Sequence, residues 1–178
     1  WRTDQLIDAI EEENPDNNYN LVSLLIGVNN QYQGRDLETY KIEFEELLNM
    51  AIELANNNPA QVFVLSIPDY AYTSFGGQDP EISSEIDHFN NENQIITENY
   101  NVKYIDITDI SRMGIEDPSL IADDGLHPSE KMYTLWVNRI LDNFQIPEIT
   151  GLSTIMQENP NITYSNYNRN IEIQTQIP

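Results

Sequence analysis

The chain has 178 residues, enough for one ordinary domain and a short extra piece, and its 39% apolar content includes runs long enough to build a core, which excludes wholesale disorder. Its 30 acidic against 8 basic side chains give a formal charge of −22, a surface that repels nucleic-acid backbones and anionic membranes. The absence of cysteine excludes disulfides, thiolate metal sites and a cysteine nucleophile, and no apolar run reaches the roughly 18 residues that a transmembrane helix needs.

Asp4 to Glu13 carries Leu6, Ile7 and Ile10 on one face, which predicts a helix with Thr3 or Asp4 as its N-cap. Leu21 to Val28 is a continuous apolar run, the pattern of a strand buried on both faces. Leu37 to Asn56 predicts a long helix, with Leu37, Tyr40, Phe44, Leu47, Leu48, Ala51 and Ala55 along one stripe. Val62 to Ile67 reads as a second buried strand, closed by Pro68-Asp69. Ile82, Ile86, Phe89, Asn93 and Ile96 recur at helical spacing, so residues 82–99 form another helix, and Val102 to Ile107 a third strand. Ser129 to Phe144 is the last helix, with Pro128 at a favourable first position and Met132, Leu135, Trp136, Ile140 and Phe144 facing inward.

This alternation predicts an α/β fold, a parallel sheet with helices on both faces. After Phe144 the periodicity ends, and Ile162 to Ser165 and Ile171 to Ile177 are placed to pair as a polar hairpin. The expected division is 1–146 for the α/β domain and 147–178 for a linker and the start of a small β module.

In open parallel sheets ligands bind beyond the carboxyl ends of the strands, so the loops there carry the candidate chemistry. Asp124-Gly-Leu-His127-Pro128 places a carboxylate three residues before one of the chain's two histidines, just ahead of the last helix. An imidazole is suited to general-base work near neutrality, and a carboxylate on one ring nitrogen fixes its tautomer. The plainer reading is a capped turn with a surface histidine. Gly27-x-Asn29-Asn30 follows the first strand, where an asparagine amide can be aimed at a developing oxyanion; the plainer reading is a strand-to-helix turn. His88 falls off the apolar stripe and reads as a solvated helix residue, and Glu11 to Glu13 as a solvated face. Asp109 reads as a turn cap and Asp106 as a strand-end residue. Ser66 lacks the flanking glycines of a nucleophile elbow.

Taken in order, Gly27-x-Asn29-Asn30, Ser66-Ile67-Pro68-Asp69-Tyr70 and Asp124-x-x-His127-Pro128 resemble the later blocks of the SGNH hydrolases, also called GDSL esterases and lipases, over residues 1–144. The resemblance implies a three-layer α/β/α sandwich around a five-stranded parallel sheet. It implies that His127 is the base, Asp124 its orienting acid and Asn29 an oxyanion-hole donor. Asn30 stands where the usual block has aspartate. The family's Gly-Asp-Ser and glycine blocks are not among these residues, so the nucleophilic serine and its strand are expected upstream of Trp1.

The implied activity is serine-dependent hydrolysis of a carboxylic ester, whether a small molecule, a lipid or an acetylated carbohydrate, with no metal or other cofactor. The alternative is a non-catalytic carbohydrate-binding or scaffold module of the same fold. A flavodoxin-like nucleotide binder is disfavoured, because the chain has no Gly-rich phosphate loop and is strongly acidic. The tail resembles the start of a C-terminal sorting module of secreted Bacteroidetes proteins, which implies a secreted or cell-envelope location.

Overall fold

The structure, a computed structural model, describes residues 1–145 and the backbone of residues 162–167 and 170–175. Its contacts divide the chain into two units, Trp1–Ile146 and Pro147–Pro178. In chain order the first unit holds α1 (Thr3–Glu13), β1 (Val22–Leu24), α2 (Val28–Tyr32), α3 (Leu37–Leu54), β2 (Val62–Leu65), α4 (Pro80–Asn99), β3 (Lys103–Ile105), α5 (Thr108–Ser111) and α6 (Glu130–Asn143). The three strands form a parallel sheet in the order β1-β2-β3, with Val22 opposite Val62 and Val64 opposite Tyr104. No described helix is long and apolar enough to cross a membrane.

The central strand explains the layering. All four residues of β2 are buried, and its pleat sends alternate side chains to opposite faces. Val62 and Val64 join Leu24, the α3 stripe of Tyr40, Phe44, Leu47 and Leu48, and Ile86 and Phe89 of α4; Leu6, Ile7 and Ile10 of α1 pack against the same cluster. Phe63 and Leu65 join Ile105, Ile110 of α5, and Met132 and Trp136 of α6. The result is a sheet between two helical layers, as expected of the α/β/α class.

Local signals set the helix ends. Asp36 accepts from Thr39 N at 2.9 Å to start α3, and Asp79 accepts from Glu81 N at 2.9 Å with Pro80 in the first turn of α4. Two sequence expectations shift. The N-cap of α1 is Arg2, whose N–H donates to Gln5 Oε1 at 3.0 Å, because the Thr3 hydroxyl is engaged with Asn30 and Glu43 and Thr3 is fully buried. Pro128 lies outside α6: Ser129 is the N-cap and accepts from Met132 N at 3.3 Å.

The largest departure is β1, which spans three residues and not the whole apolar run. It pairs with β2 on one side only among the described residues, and Leu21 and Leu25 are 38% and 39% exposed, so the run is not buried on both faces. Gly27 ends the extended path at φ 124°, where it caps α2. A side chain there would collide with Tyr40 and Ile67, so this turn is fixed by packing from α3 and the end of β2.

In the second unit β4 (Ile162–Tyr167) and β5 (Asn170–Thr175) pair antiparallel, with Tyr167 opposite Asn170. The strands reach further toward the turn than the alternation predicts. The expected linker over 147–161 lies outside the described residues.

Candidate active site

The loop that carries Asp124 and His127 is held at its base by backbone pairing. Ile121 and Pro128 form an antiparallel bridge, Ala122 N–H donates to His127 O at 2.8 Å, and Ser129 N–H donates to Leu120 O at 2.8 Å. Inside this frame the chain reverses at Gly125, whose φ of 74° is left-handed. Asp124 makes the turn on its own side chain: Oδ1 accepts from the backbone N–H of Leu126 and of His127, each at 2.9 Å.

The other carboxylate oxygen, Oδ2, lies 2.6 Å from His127 Nδ1. The backbone donors His127 N and Leu126 N, more than the imidazole, hold the Asp124 carboxyl down to about 2. An ionised Asp124 favours the proton on Nδ1, which leaves the Nε2 lone pair open as an acceptor. Both side chains are open to solvent, 71% for His127 and 51% for Asp124.

Asn29 sits in the first turn of α2, and both it and His127 line a pocket of about 410 Å³. Its Nδ2 donates one hydrogen to Trp1 O at 3.2 Å, which orients the amide and leaves a second hydrogen to give. Asn30 has a different task. It is 1% exposed, its Oδ1 accepts from Thr3 N at 3.1 Å and its Nδ2 donates to Thr3 Oγ1 at 2.6 Å, so it fastens the start of α1 to α2.

Asp69 and Ser111, on loops that leave the strand ends, also line the pocket, but the bonds that hold them were not evident from the sequence. Asp69 is fully buried; its carboxylate accepts from Ala71 N at 2.9 Å and pairs with Arg112 Nε at 2.9 Å, while its own N–H donates to Ser111 Oγ at 2.8 Å. Arg112 also reaches Asp87 at 2.6 Å, tying the loop after β2 to α4. Locally, Asp69 after Pro68 acts as an Asx cap for the short 3₁₀ turn at Tyr70–Tyr72. One wall is aromatic: Tyr32, Tyr70 and Phe75 stand with ring centroids 6.1–6.3 Å apart.

The remaining candidates take structural places. Ser66 is fully buried, and its hydroxyl accepts from Ile107 N and Thr108 N and donates to Asp106, joining the ends of β2 and β3. Asp106 caps the turn by accepting from Thr108 N at 2.9 Å, whereas Asp109 pairs with Arg139 at 2.9 Å, so the capping role falls to Asp106 and not to Asp109. His88 is exposed on α4.

A sheet between two helical layers thus carries an Asp–His loop and an asparagine at one pocket. A model of the GDSL-like lipase/acylhydrolase family matches residues 1–135, and the chain belongs to that family of ester hydrolases. No curated protein matches the sequence. Among solved structures, the chain is similar to an acetylxylan esterase from Geobacillus stearothermophilus, 20% identical with a TM-score of 0.60 over 84% of this chain and 71% of that one. It is also similar to a member of the lipolytic G-D-S-L family from Veillonella parvula, 20% identical with a TM-score of 0.60 over 80% of this chain and 74% of that one. At this identity the likeness speaks for the fold.

Proposed function

We propose that the site performs serine-dependent hydrolysis of carboxylic esters, with His127 as general base, Asp124 as its orienting acid and Asn29 as an oxyanion donor. The observation that carries this reading is the 2.6 Å contact between Asp124 Oδ2 and His127 Nδ1, at a pocket that Asn29 also lines. Among the described residues Nε2 has no hydrogen-bond partner, which leaves it available to a nucleophile.

Ser111, the serine in the pocket lining, donates to Thr108 O at 2.6 Å and accepts from Asp69 N, so its hydroxyl is a structural tie. In our reading the nucleophile comes from residues upstream of Trp1. Its hydroxyl attacks the ester carbonyl as Nε2 takes the proton. Asp124 stays ionised and stabilises the imidazolium. The second Nδ2 hydrogen of Asn29 goes to the tetrahedral oxyanion, and the imidazolium returns the proton to the departing alcohol. Water then releases the acyl group by the same route.

The test is cleavage of p-nitrophenyl acetate by the complete protein and by its His127→Ala variant. The reading predicts loss of turnover with the melting temperature retained; turnover near wild type would overturn it.

A further inference from the structure

The pocket has more polar residues in its lining than it has polar groups to offer. The Asp69 carboxylate is taken up by Ala71 N and Arg112. The Thr73 hydroxyl donates to Tyr70 O at 2.7 Å and accepts from Gly76 N at 3.0 Å. Ser111 is committed to Thr108 and Asp69. Among the described residues, the lining apart from Asn29, His127 and the two tyrosine hydroxyls is apolar or already engaged, with Val28, Phe75, Ile121 and Leu126 supplying carbon.

The Arg112 guanidinium is held by Asp69 and Asp87 and so is not offered to an anion, and the net charge of −22 opposes one further. Against these described residues a sugar ring would bury hydroxyls with few partners, at a cost that each missing hydrogen bond adds to. A hydrocarbon group would lose nothing and gain its burial. The aromatic wall is also anchored to the catalytic loop: Phe75 N–H donates to Gly125 O at 3.2 Å, within the turn between Asp124 and His127.

We propose that the wall of Tyr32, Tyr70 and Phe75 makes this a site for uncharged esters bearing a medium-length hydrocarbon chain, in preference to acetylated sugars, and that Phe75 is its specificity-determining residue. The proposal rests on the esterase reading for its chemistry but on the wall for its selectivity, and the two can fail separately.

The test has two arms on the complete protein. In the first, kcat/KM is measured for p-nitrophenyl esters from acetyl to octanoyl, for alkyl acetates from ethyl to octyl, and for a mono-O-acetylated methyl xyloside that keeps its other hydroxyls free. One of the two chain-length series should rise about fourfold per methylene and exceed the sugar ester. Phe75→Ala should flatten that slope and Phe75→Leu should keep most of it.

In the second arm, calorimetry follows 2-butanone and 2-octanone, ketones that mimic an ester without being cleaved. The longer ketone should bind more tightly, and Phe75→Ala should abolish the difference. Ester cleavage that is flat in both series, favours the sugar ester, or comes with equal ketone affinities would overturn the wall and leave the hydrolase reading standing. Length-dependent ketone binding lost in Phe75→Ala, without any ester cleavage, would sustain the wall and count against the hydrolase.

Discussion

Ser74 Oγ donates to the carbonyl of Gly125 at 3.0 Å, so a loop that follows β2 braces the turn between Asp124 and His127. The bond spans 51 residues of sequence. Glycine is favoured on the receiving side by its left-handed φ of 74°, and a side chain there would also have to push the Ser74 hydroxyl aside.

Gly125→Ala therefore meets two obstacles. A left-handed φ costs a residue with a Cβ about 1–2 kcal/mol, and the methyl group displaces Ser74. We expect a modest fall in melting temperature and a larger fall in kcat, because the displaced turn carries both members of the Asp–His pair. Unchanged kcat in the single variant would show that the turn does not depend on this brace.

Asp124 is held at about 2 chiefly by the backbone N–H groups of His127 and Leu126. The sign follows from a folded-state value depressed below the ordinary ~3.9 of an unfolded aspartate. The turn's preference for the carboxylate is fully present above about pH 4 and is lost as pH falls through about 2. Carboxyl ¹³C NMR should place the Asp124 midpoint well below that of an exposed aspartate; a midpoint near 4 would contradict the geometry. Asp124→Asn should lower kcat by ~10²–10⁴-fold, since an amide can favour the wrong imidazole tautomer.

Arg112→Met would leave the Asp69 carboxylate buried without its cation. Breaking a buried pair costs about 3–5 kcal/mol, and the 31% exposure of Arg112 places this one toward or below the lower end, at about 2–3 kcal/mol. Urea unfolding measures it, and a change under about 1 kcal/mol would mean that the pair is solvated in practice.

Asn30→Ala removes both hydrogen bonds to Thr3 and leaves its buried N–H unpaired, for an expected loss of about 1–3 kcal/mol. Hydrogen exchange should show the first turn of α1 opening more readily than α3. Equal protection of the two would contradict the idea that Asn30 fastens α1.

What the sequence made legible follows from distance along the chain. The buried run of β2 and the long stripe of α3 are periodic signals that every layer of the fold reinforces. Asp124 and His127 were legible because four consecutive residues hold the whole contact. The end of β1 was not, because the turn at Gly27 is dictated by Tyr40 and Ile67, which lie elsewhere in the chain. The Asp69–Arg112 pair joins residues 43 apart, and nothing local in either segment names the other. The aromatic wall was hidden for the same reason: Tyr32 ends α2 and Tyr70 and Phe75 follow β2, and only the fold brings them together.

Asn29 was legible as an amide that follows the first strand, yet its contact with Trp1 O was not. If its second hydrogen serves only the tetrahedral state, Asn29→Ala should lower kcat by ~10²–10³-fold with little change in KM. Steady-state kinetics on a single p-nitrophenyl ester decides this, and an effect confined to KM would reassign Asn29 to ground-state binding.

The most direct test of the account is fluorophosphonate labelling of the complete protein, followed by mapping of the modified residue. The account predicts one labelled serine upstream of Trp1, with labelling lost in His127→Ala. Labelling that persists at full rate in His127→Ala, or a labelled serine remote from the pocket of Asn29 and His127, would contradict it.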